Sequence, residues 1–504
     1  MKVFALSLLV ACAPPEPEGP PPWAFPDPLS GPAMRGPGGA LVDQPADVLW
    51  TNCAFLDGGE GDVNHHNLVV PYRGHALVPW APEFGGTSGL TLYALNDPCQ
   101  PEAIGSAKDP GLRESHAIGL AMLPDDDPNA GDWAVTDWLG GIGKGGIMFW
   151  DLSDATAPVV VSTLETPDFL YPDAYARVTL SVAWQYPWVY VGGADNGVIV
   201  VDATDPRAPV VVNQVRLDNG LRVGGVFAMG DRLLVTGAEV AATAVLDISD
   251  PASPQPIPGG AFEVQNAEGQ SIDYYFANLA GDHALFAPKE GGGGAILYDI
   301  ADSANPVHRA EYILPDANGG YVFWDEGYVF TGGSTRADIL DFRDLDNPSL
   351  VGTGYLTGDL DTITPWGNVA LLSVDAEAID GQGTAVMPWR SEPDIDGPTV
   401  LAVAPRNGAE NVALTARIGI GMSEMVDPGS AFEGSVRLYA LADDGTESPV
   451  RGWVNAQENT VTYSPKAPLA PNTRYRVEVT RGGLVDVSFN PVVETWSSTF
   501  RTAP

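Results

Sequence analysis

Residues 59–67 read GEGDVNHHN. Asp62, His65, His66 and Asn67 can each offer an electron pair to a metal. Neighbouring histidines close to a carboxylate suit a transition ion. The same residues also make an ordinary polar loop leading into a strand. His116 is a further candidate ligand downstream. Other catalytic spacings are missing. No G-x-S-x-G, H-E-x-x-H or C-x-x-C occurs. GGIGKGG (140–146) has Lys144 but no following Ser or Thr, so it is not a nucleotide loop. DLDNP and DIDGP pair aspartates without the rest of an EF-hand loop and read as solvated turns. No catalytic residue is assigned.

Charge narrows the partners. Lys and Arg number 25 against 65 Asp and Glu, a formal net charge of −40. Such a surface repels phosphate backbones and anionic lipid, so nucleic acid is not expected as a partner. Acidity serves solubility. It also offers carboxylates to Ca²⁺, so Ca²⁺ or a transition metal are the cofactors these side chains could hold.

The 504 residues exceed what one hydrophobic core usually serves, so at least two domains are expected. With 58 Gly and 45 Pro, short strands joined by tight turns are expected rather than long helices. The elements repeat. NGVIVVDATDPRAPVVV (196–212) has an apolar run ending in Asp202, then Pro209 seven residues on. Asp151, Asp247, Asp299 and Asp341 end similar runs and precede Pro158, Pro254, Pro306 and Pro348 by the same step. Leu92-Tyr93-Ala94 with Pro101 fits the frame, and Ala385-Val386-Met387 is a degenerate copy. About seven copies, 42 to 52 residues apart, each hold room for four short strands. The aspartates should end their strands by accepting backbone N–H bonds, and the prolines should restart an extended chain. The pattern resembles the LVIVD repeat of exported bacterial β-propeller proteins, over roughly residues 46–392. The resemblance implies blade architecture and says little of function.

Innermost strands line a propeller's channel. Counting about eight residues upstream of each hairpin turn gives His66, His116, Arg177, Arg222, Asp273, Ala317 and Asp359. His66, His116, Arg177, Arg222, Asp273 and Asp359 would converge at one mouth. There they could bind a small ligand, hold a metal through His66 and His116, or pair with one another.

The chain opens with Lys2, a short apolar run and Leu9-Val10-Ala11-Cys12. The run is too short to span a bilayer. It resembles the lipobox of bacterial lipoproteins. That resemblance implies a signal peptide over 1–12, a lipid on Cys12 and residence at the outer membrane or cell surface. Residues 13–45, rich in Pro and Gly, are expected as an extended tether. With Cys12 acylated, Cys53 and Cys99 remain as a candidate disulfide in an exported protein; the alternative is two buried free thiols.

Residues 398–504 change texture, with strands expected about every dozen residues. VAPRNGAENVAL, SEMVDP and YSPKAPLAPNTRYRVEV resemble a bacterial Ig-like domain, which implies a spacer or adhesion module. Phe489 departs from that family, where a Gly is usual. The expected fold is thus all-β: a seven-bladed β-propeller followed by an Ig-like β-sandwich. The expected function is that of a lipid-anchored surface binding or scaffold protein. It would be held to the membrane through Cys12 and recognise a protein or small ligand at the channel mouth. The alternative is a metal-dependent propeller enzyme, a hydrolase, lactonase or oxidase, using His66 and His116.

Overall fold

The computed structural model describes residues 23–30 and 43–504, apart from 59–62, 83–85, 111, 113–114, 139–144, 167–180, 218–220, 238 and 290–291. Seven antiparallel sheets follow one another from Ala54 to Pro388, and two more build the C-terminal segment. One sheet shows how the repeat folds. Val182–Gln185, Trp188–Gly192, Val198–Asp202 and Val210–Val215 pair in chain order. Val198 to Val201 are buried, because neighbouring sheets cover both faces of the strand. That is why its apolar run does not alternate with polar residues.

The repeated aspartates end their strands as expected. Asp151, Asp202, Asp247, Asp299 and Asp341 each close a third strand. Each carboxylate accepts the backbone N–H two residues on, at 2.7–3.0 Å. The following prolines stand immediately before the fourth strands.

The degenerate copy has a topological cause. Thr384–Pro388 is the third strand of the last sheet, and its fourth strand is Ala54–Leu56 from the other end of the ring. With no local fourth strand to turn into, this copy has no use for the Asp and Pro. Cys53 and Cys99 form a disulfide, S–S 2.13 Å. It ties the residue before that closing strand to the turn leading into Glu102–Lys108 of the first sheet, so it clasps first sheet to last.

The C-terminal sandwich has an inner sheet of Val400–Ala404, Ile418–Met422, Gly452–Gln457 and Thr460–Pro465. Its outer sheet holds Ala409–Val412, Val436–Leu441, Glu447–Val450, Arg474–Val479 and Trp496–Thr502. Ile418, Ile420, Met422, Val461, Tyr463, Val477 and Phe500 fill the core between them. The inner sheet is also covered on its other face. Ile418–Met422 is buried at every position, whereas Arg474–Val479 alternates.

The cover is the ring. Each of its seven first-to-second-strand turns meets the sandwich. Arg73 and Gly74 donate backbone N–H bonds to Asp427. Asp127 accepts from Trp453 at 2.7 Å and Lys466 at 3.0 Å. Tyr186 N–H donates to Asn455 at 3.3 Å. Gly230 and Gly281 lie backbone to backbone against Gly419 and Gly421, where added Cβ atoms would come within 2.1 and 2.3 Å of them. Glu326 N–H donates to the Ser423 carbonyl at 2.7 Å, and Gly367 abuts Ser488. The expectation of an appended spacer is corrected: the sandwich is docked across one whole face of the ring.

The tether expectation is corrected in part. Trp23 stacks under Arg451 at 4.3 Å, Phe25 meets Tyr439 at 5.1 Å, and Arg437 donates to the Pro26 carbonyl at 3.0 Å. Residues 23–30 therefore lie on the sandwich rather than free of it. Cys12 falls outside the described residues.

Candidate functional site

The first strands of successive sheets contact one another, which makes them the innermost. Their C-terminal ends meet the sandwich; their N-terminal ends form the other mouth. At the sandwich end, alternate residues of Gly452–Gln457 reach toward the ring. Asn455 donates to the Trp184 carbonyl, Gln457 to Val182 at 2.9 Å, and neighbouring Asn459 to Trp324 at 2.8 Å. Glu458 accepts from Asn278 at 2.5 Å and lines a cavity of about 20 Å³ between the domains. Burial pushes its carboxyl up to about 7, against the Asn278 bond. The hairpin tip thus sits as a stopper on the channel.

At the opposite mouth, Asp137 is wholly buried at the end of Gly131–Trp138. It accepts the N–H of His116 at 2.5 Å and of Ala117 at 2.7 Å, and lies 3.3 Å from His116 Nδ1. Tyr321 donates its hydroxyl to the His116 carbonyl at 2.8 Å and its N–H to Asp361 O at 2.7 Å. Burial, Tyr275, Asp137, Asp361 and Asp375 hold its phenol well above the ordinary range. Phe276 stacks on Tyr321 at 3.5 Å, and Lys289 Nζ stands 4.0 Å over Tyr275. Oxygens of Asp359, Asp361 and Asp375 lie within 4.8 Å of one another. Burial, then Asp375 and Asp359, push Asp361 well up, with Lys289 opposing. Carboxylates this close cannot all ionise without shared protons or a counter-charge.

The structure brings some of the expected residues together. His116 and Asp359 join one constellation through Tyr321 and Asp361. Asp273 accepts the Lys289 N–H through its carbonyl, with its side chain exposed. Arg222 pairs with Asp195 at 2.7 Å. Arg177 and Asp62 lie outside the described residues. His65 ends the short strand Asn64–His65.

The metal role expected for His66 is corrected. The ring is fully buried between the first and last sheets. Its Nε2 stands 2.7 Å from the Asp57 carbonyl, which only accepts, so Nε2 carries the proton. Nδ1 then accepts from the Thr384 hydroxyl at 2.7 Å. Neither nitrogen keeps a lone pair for a metal. Burial, the largest cause, pushes the imidazole down to about 3.

Counting from the turns missed the principal mouth residue of the sixth sheet. Ala317 was the expected position, but the innermost strand is Val322–Asp325 and Tyr321 leads into it. The available signal was aromatic: Tyr275, Phe276 and Tyr321 all lie just upstream of, or at the start of, innermost strands.

These features define an all-β protein, a β-propeller-like ring joined to a bacterial Ig-like domain. Residues 394–502 match the bacterial Ig-like domain family. Solved structures of similar fold include a periplasmic gluconolactonase from Pseudomonas aeruginosa, at 10% identity and TM-score 0.45, covering 62% of this chain and 85% of that one. Raptor from Chaetomium thermophilum is similar at 11% identity and TM-score 0.48, covering 68% and 29%. The computationally designed Ika8 protein is similar at 11% and 0.42, covering 67% and 99%. These likenesses are of fold alone. No curated protein matches the chain in sequence. Among the described residues, no helix is long and apolar enough to cross a membrane.

Proposed function

We propose that this is an exported surface protein of the LVIVD-repeat type, lipid-anchored through Cys12, that binds its ligand at the mouth formed by His116, Tyr321, Asp359 and Asp361. The observation carrying this reading is that the Ig-like domain covers the turn face of the ring. Recognition then falls to the opposite mouth, where loops on a rigid scaffold gather. The charge there is chiefly acidic, and Arg222 is already paired. The ligand class is therefore a cationic group, such as an amine or a basic peptide segment, rather than a carboxylate held by Arg177 and Arg222. His66 does not serve the metal-dependent enzyme reading, since both of its nitrogens are engaged.

The test is a binding screen of basic and acidic peptides and amines against wild type and Asp359→Asn/Asp361→Asn. Selective capture of basic ligands, weakened in the double variant, is expected. Preference for acidic ligands, or affinity indifferent to both substitutions, sinks the assignment.

A further inference from the structure

The sandwich meets the ring's first turn through Asp427 and its second through Trp453 and Lys466. Between those two contacts the surfaces part. A cleft of about 830 Å³ opens there, walled by both turns, by the sandwich and by the N-terminal strap. Small-ligand sites span about 300–1,000 Å³. Trp23 lines it from the strap, Phe432 from the sandwich and Met122 from the second sheet, and each is half-buried.

Two guanidinium groups supply most of the polar lining, and each is already balanced by carboxylate. Arg73 donates Nε and Nη2 to Asp132 at 2.5 and 2.7 Å. Asp132 also accepts the Tyr72 hydroxyl at 2.7 Å. Arg451 donates Nε to Glu433 at 3.1 Å and Nη2 to Asp126 at 2.9 Å. Glu433 accepts the Gly452 N–H at 2.6 Å as well. A guanidinium has five N–H donors in a fixed fork. Nη1 of both arginines bonds nothing among the described residues, and the two side chains stay 27% and 32% exposed. They present donors whose charge is already neutralised. His75 adds an acceptor. Its Nδ1 stands 3.2 Å from the Tyr72 carbonyl, which only accepts, so Nδ1 carries the proton and Nε2 keeps its lone pair. Burial pulls the imidazole below its ordinary range, which keeps it neutral.

Charge then narrows the ligand. Arg73 and Arg451 line the cleft against Asp125, Asp126, Asp132 and Glu433, so an anion meets a net negative wall. A cation finds both buried carboxylates, Asp132 and Glu433, engaged. Aromatic surface beside neutralised donors and a neutral acceptor suits a molecule with C–H faces and a hydroxyl rim.

We propose that this cleft binds a neutral sugar, the hexopyranose unit of an uncharged glycan. Trp23 and Phe432 pack on its C–H faces, and Nη1 of Arg73 and Arg451 donate to its hydroxyl oxygens. The site is separate from the channel mouth and does not depend on the ligand held there. Because the strap supplies Trp23, the site is complete only with residues 23–30 docked.

Calorimetric titration of the full-length protein tests this, with maltotetraose, cellotetraose and mannotetraose as neutral probes. Tetragalacturonate is the acidic comparison and a chitosan tetramer the cationic one. At least one neutral tetrasaccharide should bind, and more tightly than either charged one. Trp23→Ala removes an aromatic wall, and Arg73→Lys keeps a charge beside Asp132 while removing Nη1. Each should weaken binding about tenfold, the loss of one good contact. The two variants alter different elements, and their melting temperatures are read alongside. Asp359→Asn/Asp361→Asn at the mouth should leave sugar affinity unchanged, which separates this site from that one. No heat from any neutral probe, or tighter binding of a charged one, overturns the proposal. So does an affinity that ignores both Trp23→Ala and Arg73→Lys, or one that falls with the mouth variant.

Discussion

The ring of Phe489 packs directly on Gly74. A Cβ built on Gly74 would lie 2.2 Å from Phe489 Cζ. Both residues have left-handed backbones, φ +75° at Gly74 and +66° at Phe489. For a bulky side chain that conformation costs about 1–2 kcal/mol. The bacterial Ig-like family usually has Gly at this place, so the phenylalanine carries a local cost and gains a contact with the ring's first turn. Gly74→Ala should destabilise the docked state by about 2 kcal/mol, from the φ strain and the clash together. Phe489→Gly should relieve its own backbone yet loosen docking. Calorimetry should show one unfolding transition for wild type and a split or earlier one for both variants.

Acid should tighten the domain interface. Asp325, Glu326 and Asp394 gather around Arg390, Glu424 and Asp486 lie among the same carboxylates, and burial is the first cause pushing each carboxyl up. Burial also pushes Asp427 up to about 6, against N–H bonds from Gly74 and Gly429. A raised carboxyl binds more protons folded than unfolded, so its stabilising share is full below pH 4 and lost as pH rises through the folded value. For Asp427 alone the difference is on the order of 3 kcal/mol. Melting temperature should therefore fall between about pH 4 and 7, a window set by Asp427 and Glu458. Glu424→Gln should raise stability at neutral pH and flatten the profile. A melting temperature that climbs with pH in that window refutes the interface account.

The Cys53–Cys99 disulfide closes a loop of sequence separation 46 and clasps first sheet to last. Loop-closure entropy gives it about 4 kcal/mol. Cys53→Ser should lower the denaturant midpoint accordingly, and unreduced peptide mapping of wild type should recover the linked pair.

The repeated aspartates hold turns. Asp202 accepts both the N–H and the hydroxyl of Thr204, at 2.9 and 2.7 Å. Asp202→Ala should cost about 1–2 kcal/mol in unfolding free energy. Ligand binding at the far mouth should stay unchanged; loss of binding without loss of stability would instead argue a direct role.

Much of this architecture was legible because it is local. An Asp accepting an N–H two residues on, and a Pro starting the next strand, leave their mark within ten residues, so the repeat and its strands could be read directly. All six sandwich strands expected at Val400–Ala404, Arg417–Met422, Ser435–Ala440, Thr460–Ser464, Arg474–Thr480 and Ser497–Arg501 fall within a residue of those found, and Val400–Ala404 coincides. Ala409–Val412, Glu447–Val450 and Gly452–Gln457 were missed; in the last, Asn455 and Gln457 look like solvent-facing residues. They face the ring instead, and no pattern within the strand says which.

By itself the sequence determined the class: all-β, repeated sheets, then an Ig-like sandwich. Tertiary structure decided the rest. His66 was a plausible ligand until the last sheet supplied Thr384, far along the chain, to take its second nitrogen. Tyr321 gained its place at the mouth only when ring closure brought His116 to its hydroxyl. The glycines of IGIGM became contact points because Gly230 and Gly281 arrive against them. Each is a meeting of surfaces built separately, set by ring closure and by which face of the sandwich lies on the seven turns. Local hydrogen bonding fixes the surfaces but not their partners.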